Sequence, residues 1–160
     1  MNIALLGYGK MGKAIEEIAI DRGHTIVAKI DLENPLDQAD LSLADVAIEF
    51  TSPEFAVKHI RTCIEKQLPI VVGTTGWNDQ LEDVTQFVKE HNGSLLHASN
   101  FSIGVNIFFE INKQLAKLMS GQTDYIASLE ETHHLQKLDS PSGTAITLAN
   151  GILESNNDYM

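Results

Sequence analysis

Positively charged side chains are scarce in this sequence. Lys and Arg number 11 against 22 Asp and Glu, which gives a formal net charge of −11. A surface this acidic repels the phosphates of nucleic acids and the head groups of anionic lipids, which excludes both as expected partners. A small anionic ligand is still compatible with this composition where Lys, Arg or a helix N-terminus outweighs the global field locally.

Cysteine is nearly absent, since Cys63 is the only one, and an intrachain disulfide is therefore excluded. Because Cys63 lies on the apolar side of a predicted helix, we expect a packed core thiol rather than a nucleophile. No apolar run is long enough to cross a bilayer, and the first residues lack the basic segment that opens a signal peptide. These absences together predict a cytoplasmic protein.

Apolar runs alternate with amphipathic stretches through residues 1–100, a pattern that is typical of βαβ units and a parallel sheet. On the first helix, Met11, Ile15, Ile18 and Ala19 are expected to form the buried face. The fold class that follows is α/β, with a Rossmann-type parallel-sheet domain. We predict strands at residues 3–6, 25–30, 46–50, 70–72 and 94–98. Helices are predicted at residues 10–22 and 78–91, and a further helix is predicted to begin at residues 51–54.

The pattern changes near Asn100. A long helix is predicted over residues 103–119, a β-type run over 123–133 and a short helix over 141–153. We therefore place a dinucleotide-binding domain at residues 1–100. Residues 101–160 are expected to form the start of an α+β domain for substrate binding, catalysis and oligomerisation.

The turn after the first predicted strand has the sequence G-x-G-x-x-G. A bare match is weak evidence, because glycines are common in turns, but this one follows a strand directly and opens a helix. In such a turn Gly9 lets the backbone approach a pyrophosphate, and Gly12 lets helix and strand pack closely. We predict cofactor contacts for the whole turn: Gly7, Tyr8, Gly9, Lys10, Met11 and Gly12.

Asp31 ends the second predicted strand, nineteen positions after Gly12. A carboxylate at this point accepts hydrogen bonds from the adenosine ribose hydroxyls and disfavours a 2′-phosphate. The cofactor is therefore expected to be NADH or NADPH with NADH favoured, although Lys10 and Lys29 are nearby cations that soften this preference. The plain alternative for Asp31 is a solvated turn residue.

Further polar and glycine-rich loops follow the later predicted strands. Ligands of open α/β sheets bind beyond the carboxyl ends of the strands, which all meet at one edge. Each loop alone is compatible with an ordinary turn, but together with Phe50-Thr51 they predict a continuous cleft. The cofactor contacts predicted here are Gly73, Thr74, Thr75, Ala98, Ser99, Asn100 and Phe101.

The stretch from Glu130 to Ala145 contains the residues best suited to chemistry. Of the adjacent His133 and His134, one imidazole can supply a proton near neutral pH, and Lys137 adds a fixed positive charge. The sequence Ser142-Gly143-Thr144 opens the last predicted helix, where free N–H groups can hold a carboxylate. A solvated histidine pair beside a helix cap is the plain alternative, and an E-x-x-H metal site is a weaker one in a β context.

Three motifs resemble those of a known family, the dihydrodipicolinate reductases. Residues 130–145 are similar to its signature E-x-x-H-H-x-x-K-x-D-x-P-S-G-T-A, residues 100–106 to N-F-S-x-G-V-N, and residues 73–76 to G-T-T-G. The resemblance implies NAD(P)H-dependent reduction of 4-hydroxy-tetrahydrodipicolinate in lysine and diaminopimelate biosynthesis. It also implies a homo-oligomer.

The same resemblance implies roles for individual residues. His133 would be the general acid or its relay, and Lys137 would donate a proton or stabilise developing charge. The substrate would be held by His134, Ser142, Gly143 and Thr144, and no metal is implied.

The sequence departs from the family pattern in two places. The loop over residues 31–46 is short, and family members continue beyond residue 160, so we expect a member truncated at its C-terminus. Two alternatives follow. One is another Rossmann oxidoreductase that acts on a small amino or keto acid, and the other is a dinucleotide-binding module without catalysis.

Overall fold

The computed structural model describes residues 1–133, 135 and 140–156, and the chain divides into two compact units, Met1–Ala98 and Ser99–Met160. In the first unit, apolar β-rich segments pair into a sheet and amphipathic segments between them form helices. Its elements are β1 (Asn2–Leu6), α1 (Lys10–Asp21), β2 (Thr25–Ile30), β3 (Val46–Glu49), α2 (Pro53–Glu65), β4 (Ile70–Val72), α3 (Leu81–Glu90) and β5 (Leu95–His97).

All five strands of the first unit are parallel and pair in the order β2-β1-β3-β4-β5. The α/β fold class with a Rossmann-type parallel sheet is therefore confirmed. The chain moves outward from β1 to β2 on one side and from β3 to β5 on the other. The strand order reverses between β1 and β3, which is where open α/β sheets bind their ligands.

Two clusters of buried apolar side chains flank this sheet. The larger one includes Ile60 and Ile64 of α2 and Val84 of α3, and the smaller one packs Ala19 of α1 against Ile3 and Leu5 of β1. Cys63 is fully buried, and desolvation by this burial, followed by the nearby Glu49 charge, raises the pKa of its thiol to about 12. The prediction of a packed core thiol is confirmed.

The predicted buried face of α1 is partly wrong. Gly12 and Ala19 are buried in this helix, whereas Met11 and Ile18 are 48% and 52% exposed. With about 100° between successive residues of a helix, Met11 and Ile18 are rotated away from the stripe that contains Gly12 and Ala19. Small side chains occupy the contact with the sheet, so the helix packs closely and leaves its larger residues at the flank.

The second unit contains two helices in its described residues, α4 (Ile103–Met119) and α5 (Gly143–Ser155). Each begins at a serine that caps it: the backbone N–H of Val105 donates to the Ser102 hydroxyl at 3.5 Å, and that of Ala145 donates to the Ser142 hydroxyl at 3.0 Å. A serine oxygen in this position satisfies one of the backbone donors that a helix leaves unpaired at its start.

The predicted β-type run over residues 123–133 is wrong. Those residues lie in no strand, and Tyr125 and Ile126 are 68% and 87% exposed. A strand is stabilised by hydrogen bonds and side-chain contacts with a neighbouring strand, and all five strands among the described residues belong to the sheet of the first unit.

Among the described residues, no helix is long and apolar enough to cross a membrane.

Candidate cofactor-binding and active site

The turn between β1 and α1 is built around glycine. Gly7 has φ +96°, and a Cβ there would lie 2.0 Å from the Phe50 carbonyl oxygen; a Cβ on Gly12 would lie 2.2 Å from the Gly7 carbonyl oxygen. A Cβ on Gly9, by contrast, would meet no atom within 4 Å. Gly7 and Gly12 are therefore required by the packing of the turn itself, whereas Gly9 faces open space in which a pyrophosphate can approach the backbone.

The N-terminus of α1 is suited to an anion. Gly9 is the N-cap residue, no side chain caps the helix, and no acidic residue lies in the first turn. The first backbone N–H groups of a helix have no partner within it, and the helix dipole makes this end positive. The predicted contacts at Lys10 and Met11 belong to this exposed first turn.

Asp31 follows β2 directly and organises its own turn. Its Oδ1 accepts hydrogen bonds from the backbone N–H groups of Glu33 at 3.0 Å and Asn34 at 2.8 Å. These bonds fix the carboxylate through one oxygen, and Oδ2 has no partner among the described residues. The side chain therefore fits the predicted ribose contact, because its second oxygen can accept bonds from a pair of hydroxyls.

Tyr8 takes part in a network that the sequence did not indicate. Its hydroxyl donates to a Glu16 carboxylate oxygen and accepts from Lys29 Nζ at 3.1 Å, and Lys29 Nζ lies 2.6 Å from Glu16 Oε1. The hydrogen bond from Lys29, followed by that from Tyr8, lowers the pKa of the Glu16 carboxyl. Lys29 is thus paired within the protein, which leaves less of its charge for a 2′-phosphate.

The loops after β3 and β4 are held together by hydrogen bonds through Thr74. The backbone N–H of Thr51 donates to the Thr74 hydroxyl at 2.8 Å, and the Trp77 indole donates to the Thr74 carbonyl at 2.8 Å. Thr74 is buried, and a Cβ on Gly73 would lie 2.1 Å from the Phe50 ring. The Thr74 hydroxyl is therefore engaged within the protein, while Gly73 and Thr75 lie at the edge of the sheet where a cofactor contact is predicted.

Glu49 is a buried carboxylate at the end of β3 that sequence reasoning missed. It is completely buried, its Oε1 accepts from the backbone N–H of Thr51 at 3.2 Å and from the Thr51 hydroxyl, and His59 Nδ1 lies 3.6 Å from the same oxygen. This carboxylate fixes the loop that follows β3. An acidic residue at the end of an otherwise apolar strand is the signal that would have identified it.

The predicted contacts after β5 divide between the two units. Ala98 ends the first unit, and Ser99, Asn100 and Phe101 begin the second. The side-chain oxygen of Asn100 accepts a hydrogen bond from the backbone N–H of Ser102 at 2.8 Å. Its backbone carbonyl accepts one from the side-chain amide of Asn106 at 3.0 Å. These bonds fix the N-F-S-x-G-V-N motif as the start of α4.

In the second unit, Glu131 joins His133 to the start of α5. His133 Nε2 lies 2.8 Å from Glu131 Oε2. The same carboxylate accepts from the Ser142 backbone N–H at 2.8 Å through Oε1 and from the Ser142 hydroxyl at 2.6 Å through Oε2. The Ser142 hydroxyl, then His133, then the Ser142 N–H lower the pKa of Glu131 to about 2.

The structure describes some of the remaining predicted substrate and catalytic residues. Gly143 and Thr144 are half-buried in the first turn of α5, where backbone N–H groups have no helical partner. Ser142 is buried, and its hydroxyl is already bonded to Glu131 and to the Ala145 N–H. His134 and Lys137 lie outside the described residues.

A parallel sheet whose first turn is glycine-rich and opens onto a free helix N-terminus defines a dinucleotide-binding α/β protein. Comparison with known proteins identifies its family. The family models "Dihydrodipicolinate reductase, N-terminus" and "Dihydrodipicolinate reductase, C-terminus" match residues 1–101 and 104–159. The chain therefore belongs to the dihydrodipicolinate reductase family.

Individual relatives agree with this assignment. The chain is 54% identical over 158 residues to 4-hydroxy-tetrahydrodipicolinate reductase of Christiangramia forsetii, covering 98% of this chain and 65% of that protein. It is 37% identical over 135 residues to the enzyme of the same name from Neisseria meningitidis serogroup C, covering 83% and 49%.

A solved structure gives the same result. A dipicolinate-bound dihydrodipicolinate reductase from a Paenisporosarcina species matches with TM-score 0.65 and 28% identity, over 98% of this chain and 66% of that one. The chain thus spans less than two thirds of the length of each of these relatives, and about half of the Neisseria enzyme.

Proposed function

We propose that this chain acts in the NAD(P)H-dependent reduction of 4-hydroxy-tetrahydrodipicolinate to tetrahydrodipicolinate, a step of lysine and diaminopimelate biosynthesis. In the balanced reaction the substrate first loses water, its hydroxyl leaving with a hydrogen of the neighbouring carbon. The conjugated C=C–C=N system that results then takes up a hydride and a proton. When bound, the reduced nicotinamide supplies the hydride. The protein has to hold both reactants, exclude water and deliver the proton.

The observation that carries the proposal is the arrangement of Glu131, His133 and the start of α5. An imidazole that can donate a proton is fixed through one carboxylate to a helix N-terminus that can hold an anion. The proposed reaction uses both groups: the helix N-terminus can bind a substrate carboxylate, and the imidazole can donate a proton to the reduced ring of the substrate. In the proposal His133 moves the proton, and the N–H groups of Gly143 and Thr144 hold a substrate carboxylate.

The cofactor part of the proposal rests on the first unit. The open space at Gly9 and the uncapped start of α1 support binding of a pyrophosphate. The oriented carboxylate of Asp31 and the Lys29–Glu16 pair favour NADH over NADPH. We propose that Gly73, Thr75 and Ala98–Phe101 complete the cofactor contacts, with Thr74 contributing through its backbone.

His133 and Lys137 are proposed to share the proton chemistry, and His134 is proposed to bind the substrate with Gly143 and Thr144. Replacing His133 by Gln keeps a polar side chain but removes the transferable proton. We expect turnover in this variant to fall by about 100-fold or more, the contribution typical of general acid catalysis. NADH binding, followed by fluorescence, should stay as in the unchanged chain.

The two readouts separate the proposal from its alternatives. Unchanged turnover in the variant would remove His133 from the mechanism. NADH binding without oxidation, in both the unchanged chain and the variant, would instead support a dinucleotide-binding module without catalysis. Oxidation of NADH by a different small amino or keto acid would assign another substrate to the same fold.

A further inference from the structure

We infer that Glu131 is a positioning residue that fixes the ring tautomer of His133, so that Nδ1 is the nitrogen that carries the transferable proton. The inference rests on the proposed function for the identity of the proton acceptor. The tautomer itself is a property of this chain and can be measured without turnover.

The geometry begins with sequence spacing. Glu131 and His133 are two residues apart in a segment that belongs to no helix or strand. Their side chains meet at 2.8 Å between Oε2 and Nε2. This distance is that of a charge-assisted hydrogen bond rather than of a loose ion pair.

The carboxylate of Glu131 is itself held in place. Both of its oxygens accept bonds from Ser142, at 2.8 Å from the backbone N–H and at 2.6 Å from the hydroxyl. Ser142 in turn begins α5. The position of Glu131 is therefore fixed by a helix, and the ring of His133 is oriented through it.

The chemistry of the acceptor decides which ring nitrogen bears a hydrogen. The hydrogen bonds from Ser142 and then His133 lower the pKa of Glu131 to about 2, so the group is ionised at neutral pH and can only accept. Nε2 then carries a hydrogen in both the neutral and the charged ring. The proton that comes and goes is the one on Nδ1.

This assignment gives the proton step a direction. After hydride addition to the conjugated system, the Nδ1–H bond breaks and its proton passes to the carbon left electron-rich. The ring returns to the neutral form with hydrogen on Nε2, still bonded to Glu131, and takes a new proton from solvent. A ring in the opposite tautomer would present a lone pair to Glu131 and lose this bond.

The test is a long-range proton–nitrogen correlation spectrum of the histidine rings, recorded on the full 160-residue chain and assigned with His133→Gln. In the neutral ring of His133 we expect a protonated Nε2 and an unprotonated Nδ1. The wild-type spectrum alone decides the point, because a neutral ring with its hydrogen on Nδ1 would overturn the inference.

Three variants separate positioning from mere capping of α5. Glu131→Gln should give mixed tautomers and lower kcat by about 10- to 100-fold, the scale of a misplaced catalytic group, with little change in KM for NADH. Ser142→Ala weakens the helix cap but should keep the wild-type tautomer, since it leaves the bond from His133 to Glu131. Glu130→Gln removes a neighbouring exposed charge and should match wild type in both readouts.

Different results would contradict the role of Glu131 and the proposed reductase reaction. An unchanged His133 tautomer and kcat in Glu131→Gln would overturn the positioning role while the reductase reaction stood. A chain with the expected tautomer but no turnover of 4-hydroxy-tetrahydrodipicolinate would refute the reaction, and with it the proton acceptor, while the role of Glu131 toward His133 stood.

Discussion

Three carboxylates determine the local geometry of the candidate sites, each by accepting hydrogen bonds from its own neighbourhood. Asp31 orders the turn after β2, Glu49 the loop after β3, and Glu131 the start of α5. Asp31 was singled out from the sequence as a ribose contact because a known motif places an acid there, and that role stays a prediction; its part in ordering the turn was not predicted. The other two were not predicted, since their partners Thr51, His59 and Ser142 are identified only by the folded backbone.

The charge of Asp31 should set the cofactor preference. Asp31→Asn keeps an oxygen for the N–H groups of Glu33 and Asn34 but removes the charge that repels a 2′-phosphate. We expect the ratio of NADPH to NADH affinity to rise by about 10-fold, equivalent to roughly 1.4 kcal/mol. Glu33→Gln is the matched control, and titration by fluorescence is the measurement; an unchanged ratio would contradict the ribose role of Asp31.

Glu131 should contribute to stability in a definite range of pH. Its pKa is lowered from 4.5 to about 2 in the folded chain, so between these values the unfolded state binds more protons and the free energy of unfolding rises with pH. The contribution is complete above about 4.5 and is lost as the pH falls toward 2. Denaturant unfolding of Glu131→Gln should therefore depend less on pH in this range than that of Glu130→Gln. Parallel acid profiles would contradict the bonds assigned to Glu131.

Among elements, helices were predicted from sequence more accurately than the β-type run. α4 has the bounds predicted from its local periodicity, because a helix satisfies its backbone internally. The run over 123–133 has β-type composition but no ladder among the described residues. Composition alone cannot supply a partner strand, so this part of the fold was beyond sequence reasoning.

The β1–α1 turn allows its packing and binding roles to be separated. Gly9 has φ −85° and space for a Cβ, so Gly9→Ala should fold with nearly unchanged stability. The added methyl group would occupy the approach to the pyrophosphate, and NADH affinity should fall by about 10-fold or more.

Gly7→Ala is the contrasting variant for this turn. A Cβ there would meet the Phe50 backbone at 2.0 Å, so we expect loss of stability. Thermal unfolding and NADH titration of both variants make the test. Normal NADH binding by a folded Gly9→Ala chain would contradict the position proposed for the pyrophosphate.

At the scale of the whole molecule, the two units differ in how much apolar surface they bury. Both clusters of buried apolar residues lie in the first unit. In the described part of the second unit, Ala116 and Ala145 are the buried apolar side chains, and Ile103 and Leu118 of α4 are 79% and 77% exposed. Because burial of apolar area provides most of the folding free energy, the first unit should be the more stable one.

Hydrogen exchange should reveal this difference directly. We expect slow amide exchange in β1, β3 and β4, and faster exchange in α4 and α5, since local stability follows buried contacts. Trp77, which is buried in the first unit, should keep its native fluorescence when α4 and α5 have already lost protection. Equal protection in both units would contradict the assignment of the core to Met1–Ala98.

The proposed reduction is tested by measuring NADH oxidation by the 160-residue chain with freshly generated 4-hydroxy-tetrahydrodipicolinate, through the loss of NADH absorbance. We expect oxidation that requires this substrate, yields tetrahydrodipicolinate and falls by about 100-fold or more in His133→Gln. No oxidation under conditions where NADH binding is saturated would contradict the proposal that this chain carries out the reduction.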